Sequence, residues 1–127
     1  MNHNPSDQLH IESAAGWLGL GDWQSAKAEL DELTPTLRAH PDVLKMRVAI
    51  HCAARQFDRA ATLSDTLAEA LPEDAQFWLN RAIALCQLGQ WKTAQAAILI
   101  CFNLKPDLQS AALDNPDLQP LWLRPPA

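Results

Sequence analysis

The side chains of this chain that could do chemistry are three cysteines, four histidines and two repeated arginine–aspartate pairs. Cys52 and Cys86 stand 34 residues apart, with His51 beside the first. Thiolate and imidazole are zinc ligands, but a structural site needs four of them converging, and no CxxC or HxxxH pair begins one. Small apolar thiols packed in a core are the favoured account of Cys52, Cys86 and Cys101, so no metal is expected. His3, His10 and His40 are scattered in polar stretches, with no nucleophile and carboxylate placed to make a relay. There is no glycine-rich phosphate loop and no pair of catalytic carboxylates, so neither enzymatic activity nor a cofactor is expected. Arg47 and Arg81 also stand 34 apart, as do Asp31 and Asp65. An arginine stem lying along a neighbouring helix would give the pairs Arg47–Asp31 and Arg81–Asp65, while fully solvated charges are the alternative.

The elements that must position these groups repeat with the same interval. Trp23, Phe57 and Trp91 form one column, Ala26, Ala60 and Ala94 a second, and Gly21, Arg55 and Gly89 a third. Leu30, Ser64 and Ile98 make a looser fourth. Columns held in phase over about a hundred residues imply a structural repeat of that length. Small alanines let two helices approach closely, and the aromatic fills the gap beside them. Stretches such as SAKAELDEL, RAATLSDTLAEAL and RAIALCQLGQW are rich in helix formers with apolar residues three and four apart. No sustained alternation of period two is present, so an all-α chain is expected.

The columns resemble the tetratricopeptide repeat, a helix–turn–helix unit of 34 residues, as found in small bacterial-type members of that family. In the third unit Trp78 stands at the early aromatic position, Gly89 at the turn, Trp91 after it, Ala94 in the second helix and Pro106 at the close. The second unit has Leu44, Arg55, Phe57, Ala60 and Pro72 in those places, and the first has His10, Gly21, Trp23, Ala26 and Arg38. The resemblance implies an α-solenoid of three units, about 7–40, 41–74 and 75–106, after a frayed start at 1–6 and before a capping segment and tail at 107–127. It implies a scaffold and not a reaction.

Stop signals divide the chain into seven or eight helices. Asp7, Asp42 and Asp74 stand near expected helix starts, where a carboxylate accepts unpaired backbone N–H groups. Pro41, Pro72 and Pro106 separate the units. Pro35 falls late in the second helix of the first unit and is expected to end or kink it, leaving Thr36 to His40 as the least regular connection. Pro116 and Pro120 keep DLQSAALDNPDLQPLW from making a full helix. A repeat stack leaves an apolar flank on its last helix, so Leu108, Ala112, Leu113, Leu118, Leu121 and Trp122 are expected to cap it; a linear motif for another protein is the alternative.

Composition narrows the function classes. A net charge of −5 disfavours nonspecific nucleic-acid binding, which needs a basic field. No span approaches the roughly 18 apolar residues of a membrane helix, and the start MNHNPSDQ has no leader pattern. An odd cysteine count without a leader makes a reduced cytoplasm the expected location.

In the resembling family the first helices of successive units line an inner groove. The matching positions here are Gln8, Ile11, Ala15, Leu18 and Gly19, then Asp42, Lys45, Ala49, Cys52 and Ala53, then Gln76, Leu79, Ile83, Cys86 and Gln87. Lys45 is the only cation among them, and Ala15, Ala49 and Ile83 occupy the column where family members that clamp acidic carboxyl ends carry asparagine. The set suits an apolar or amphipathic peptide of a protein partner, with Ile11, Leu18, Lys45, Leu79, Ile83 and Gln87 as the contacts expected to matter most. Covering of some of these positions by the chain's own termini is the competing expectation. A small secretion-type chaperone with one dedicated client, and a homo-oligomeric scaffold associating through the flanks of the stack, are the alternative functions.

Overall fold

The structure, a computed structural model, describes residues 5–123. The expected frayed start lies outside the described residues except for Pro5 and Ser6, which already belong to the first helix. Among the described residues the fold is all-helical. In chain order the helices are α1 (Pro5–Gly19), α2 (Trp23–Asp31), α3 (Pro35–Arg38), α4 (Pro41–Ala53), α5 (Phe57–Leu67), α6 (Ala75–Gln87), α7 (Trp91–Leu104) and α8 (Leu108–Asp114). A 3-10 turn (Pro116–Leu118) and α9 (Gln119–Trp122) follow.

The 34-residue period reappears as geometry. α1 packs on α2, α4 on α5 and α6 on α7, giving three hairpins. Each hairpin turns at a residue in the left-handed region: Gly21 at φ 79°, Arg55 at 64° and Gly89 at 76°. In all three the next residue donates its N–H five residues back, Asp22 to Trp17 O, Gln56 to His51 O and Gln90 to Leu85 O, at 2.8 to 2.9 Å. That bond satisfies carbonyls the helix end leaves open. A residue without a side chain suits this conformation best, and Arg55 holds it with help: its guanidinium lies 4.7 Å from the Phe57 ring centroid and pairs with Asp117 at 2.7 Å.

Ala26, Ala60 and Ala94 are fully buried, as are Leu30 and Ser64. Asp22 caps α2 by accepting from Ser25 N at 2.9 Å, and Asp74 caps α6 from Phe77 N at 3.0 Å. Two starts differ from expectation. His40, not Asp42, caps α4, its ring nitrogen accepting from Asp42 N. Asp7 is buried within the first turn of α1, where both carboxylate oxygens accept from Thr34, one from its N–H and one from its hydroxyl, at 3.1 Å. Asp7 therefore ties the first helix to the end of the hairpin rather than only serving its own helix.

Pro35 does end α2 early, but the connection is more regular than the sequence suggests. Proline is pre-organised for the first position of a helix, and α3 begins on it. The short turn delivers Leu37, 6% exposed, into the core beside Leu33 and Val43. That core is divided. One cluster joins Ala14, Ala26, Leu30 and Leu37 to Val43 and Ile50 of α4; the other runs from Val48 and Cys52 of α4 through α5, α6 and α7 to Leu118 and Leu121. Helix α4 is the wall both clusters share.

Candidate functional site

The charged columns meet as their spacing requires. Arg47 Nη2 donates to Asp31 Oδ1 at 2.9 Å, bridging α4 to α2, and Arg81 Nη1 reaches Asp65 Oδ1, bridging α6 to α5. The rungs are unequal. Arg81 also donates to the fully buried Ser64 hydroxyl at 2.7 Å, whereas Asp31 is shared with Lys27 at 2.9 Å. The hydrogen bond from Lys27, and then that from Arg47, hold the Asp31 carboxyl below its ordinary value. Both rungs sit between hairpins, and the further groups at each, Lys27 on Asp31 and the Ser64 hydroxyl on Arg81, extend the same bridging bonds.

The positions expected to line a groove divide into an open part and a covered part. On α1, Gln8 is exposed with a bond to Glu12 at 2.9 Å, and Ile11 and Leu18 are half-buried against the first cluster. Ala15 and Gly19 beside them are exposed. On α4, Ala49 is half-buried and Ala53 exposed, but Lys45 is committed: its Nζ donates to Asp74 Oδ2 at 2.6 Å, across to the start of α6. The cation singled out as a groove contact thus joins two hairpins.

In the third hairpin the same columns are largely withdrawn from the surface. Gln76 is exposed, but Leu79, Ile83 and Cys86 are buried in the cluster that also holds Leu118 and Leu121. Gln87 Nε2 donates to Asp117 O at 2.7 Å. Cys52, on α4, is buried with its thiol 3.5 Å from Asn80 O. Burial, with a smaller contribution from the Asp117 charge, pushes the Cys52 thiol up to about 12. Burial raises Cys86 and Cys101 as well. These thiols are packed in the core, and no group of three or more potential metal ligands converges among the described residues.

What covers the third hairpin is the chain's own segment 115–123. Asn115 accepts from Asp117 N and starts the 3-10 turn, whose Leu118 is fully buried. Asp117 then reaches both Arg55 and Gln87, at the ends of α4 and α6. Leu121 is buried near Cys86, and the Trp122 ring stacks on Phe102 of α7 at 6.4 Å between centroids. The expected cap therefore exists in three short pieces. Ala112, Leu118 and Leu121 are its buried members, Leu108 and Trp122 are half-buried, and Leu113 is exposed. It lies on α7 and also crosses the ends of α4 and α6, the covering by the chain's own terminus that was the competing expectation, so Leu79, Ile83 and Gln87, expected as open contacts, are engaged by the chain itself. Arg55 and Asp117 are 62 residues apart and share no repeat column; only the Asn-Pro-Asp turn signal marked where the chain would fold back.

The surface of the described residues carries further depressions, the first of which takes in Gln76 of the expected groove set. One is framed by Leu71, Asp74, Leu104, Lys105 and Leu108, at the loops closing the second and third hairpins. A second is lined by His51, Arg59, Thr62, Leu63 and Thr66, and a third by Ser13, Gly16, Trp17 and Leu20 of α1. No helix among the described residues is long and apolar enough to cross a membrane. No protein-family model matches this chain, and no curated protein or solved structure matches it.

Proposed function

We propose that the chain is a three-unit tetratricopeptide-type solenoid that works without catalysis, receiving an apolar or amphipathic segment of another protein on its inner face. The observation that carries this reading is the chain's own segment 115–123, whose Leu118 and Leu121 lie buried against α6 and whose Asp117 backbone oxygen accepts from Gln87. The face already accommodates one polypeptide by apolar anchors with a polar fix at the backbone, which is how peptide grooves are read. The part left open runs over α1 and α4, where Ala15, Gly19, Ala49 and Ala53 allow a close approach and Ile11 and Leu18 supply apolar flanks.

The experiment compares capture of partners by the intact chain with capture by an Ala15→Glu, Ala49→Glu double variant, followed by direct binding of each captured protein to both. Loss of binding in the variant at unchanged thermal stability supports the reading. Equal binding by both removes the inner face from consideration.

A further inference from the structure

Segment 115–123 does more than covering the last hairpin requires. The flank of α7 is met by α8 and by α9, whose Trp122 stacks on Phe102. The 3-10 turn between them packs on α6, which α4, α5 and α7 already flank. Closing the end of α7 gives no reason for that contact.

The contact has the chemistry of a bound ligand. Asp117 is held twice: its carboxylate accepts from Arg55 at 2.7 Å and its backbone oxygen from Gln87 at 2.7 Å. Leu118 is fully buried, and Leu121, three residues on, is 4% exposed, both in the cluster that holds Leu79, Ile83 and Cys86. The surface formed by α6 and Arg55 therefore fits an acidic residue with leucines one and four positions after it. Arg55 is an independent sign that an anion is wanted there. The equivalent turn residues are Gly21 and Gly89, and all three have positive φ, a conformation unfavourable for a residue with a side chain. Arginine in that column places a cation over Phe57, and its side chain is 58% exposed even with Asp117 paired.

The segment is also an imperfect occupant. Trp122 Nε1 is buried with no hydrogen-bond partner among the described residues, so seating the segment desolvates a donor and gives it no acceptor. An ion pair as exposed as Arg55–Asp117 contributes little by itself. A segment with the same acidic and leucine anchors but no orphaned donor competes for the position.

We infer that the covered end of the proposed groove is a second docking site, gated by segment 115–123, for a partner segment that carries an acidic residue with leucines at the first and fourth positions after it. The inference rests on the reading of this face as a peptide groove. A ligand confined to Ala15 and Ala49 leaves the segment in place, whereas this one takes its position. The probe is a labelled peptide of residues 113–123, added to the full chain and followed by fluorescence anisotropy. An Asp117→Asn, Leu118→Ala double variant of the chain loosens its own segment, so the apparent Kd of the peptide falls with the rising open population, by about tenfold or more. Arg55→Gly added to that variant keeps the turn, since glycine serves in the other two hairpins, and weakens the peptide about tenfold. Asp117→Asn within the peptide costs the same factor on the double variant and nothing further once Arg55 is gone. A peptide of residues 103–113 repeats Pro-Asp-Leu-Gln at 106–109 but has Ala111 in place of the second leucine, and it does not bind below about 1 mM. Far-UV melting checks that the variants fold, and Leu121→Ala replaces Leu118→Ala if that one does not. A gain below about tenfold in the loosened chain makes the segment a fixed cap and overturns the inference. So does a peptide indifferent to Arg55→Gly or to its own Asp117→Asn, or one matched by 103–113. Partner capture lost in the Ala15 and Ala49 variant would then show that only the gated end has failed, whereas capture unchanged there removes the groove reading itself.

Discussion

Replacing Leu118 by alanine measures how firmly segment 115–123 is held. The side chain is fully buried, and the substitution removes three carbons from the core. At about 0.8 kcal/mol per methylene the transfer loss is about 2.4 kcal/mol, and the unfilled cavity raises Leu→Ala totals to about 2–5 kcal/mol. The segment follows the third hairpin and connects to it through α8, so it can lift away without the hairpins unfolding, and the loss falls on that local opening. A reporter lies beneath it: Cys86 is 1% exposed and lies near Leu121. Where reclosing outpaces alkylation, the labelling rate follows the open population, so 2.4 kcal/mol corresponds to about a fiftyfold acceleration. The assay is iodoacetamide labelling under native conditions, resolved by mass spectrometry at Cys52, Cys86 and Cys101, beside a urea titration. The expected outcome is selective acceleration at Cys86 with a much smaller change in the urea midpoint. Equal acceleration at all three thiols, tracking global stability, would refute the idea of an independently opening segment. A change at Cys86 below about fivefold would refute Leu118 as its anchor.

Other perturbations separate the remaining contributions. Arg81→Met is expected to destabilise by about 1.5–3 kcal/mol because it strips a charged donor from the buried Ser64, whereas Arg47→Met, whose partner Asp31 is about half exposed, stays below about 1 kcal/mol; urea titrations of both, with and without added salt, check the order. The carboxyl of Asp31 is held below 3.8, so its stabilising contribution is fully present above that pH and is lost as pH falls through the lowered value. The difference in melting temperature between the intact chain and Asp31→Asn should therefore be constant from neutral pH down to about 5 and shrink once pH passes below 3.8. Gly89→Ala should cost about 1–2 kcal/mol from backbone conformation alone, since φ is 76° and the nearest atom to a new Cβ, on Trp91, is at an ordinary 3.8 Å. Denaturation showing no loss would mean the turn relaxes out of the left-handed region.

What the sequence disclosed was whatever the period carried. The turn residues Gly21, Arg55 and Gly89, the buried alanines and both arginine–aspartate rungs could be placed because each has an equivalent 34 positions away doing the same work. Of the features that occur once, the covering residues Leu108, Ala112, Leu118, Leu121 and Trp122 could be placed, because the last helix of a stack leaves an apolar flank, but several others could not. Pro35 reads equally as the end of one helix and the start of another, and only Leu37's place in the core decides for α3. Asp7 has the type and position of a helix-start carboxylate, yet its bonds run to Thr34, a contact set by how α1 lies across the hairpin. Lys45 stood out as a lone cation, but its partner Asp74 belongs to the next hairpin. The same holds for Asp117, whose partners become neighbours only after the chain reverses at Asn115.

The division of the core bears on the binding proposed for the open positions. These positions straddle the seam between the two clusters: Ile11, Ala15 and Leu18 on α1 belong to one hairpin, and Ala49 and Ala53 on α4 to the next. Across that seam the first hairpin is held by Val43 and Ile50, by Leu37 and by the Arg47–Asp31 rung, while the second and third hairpins share one continuous core reinforced by the part-buried Arg81–Ser64 bond. Packed apolar area sets resistance to local opening, so the joint between α1 and α4 is the softer of the two. A segment lying across Ala15 and Ala49 would bridge that joint and stiffen it, and the covered end at Asp117 would stay fixed. Binding on the open part therefore reports on the Asp31 side of the molecule, where protection of the α2 amides from hydrogen exchange should rise with occupancy and protection of α6 should not.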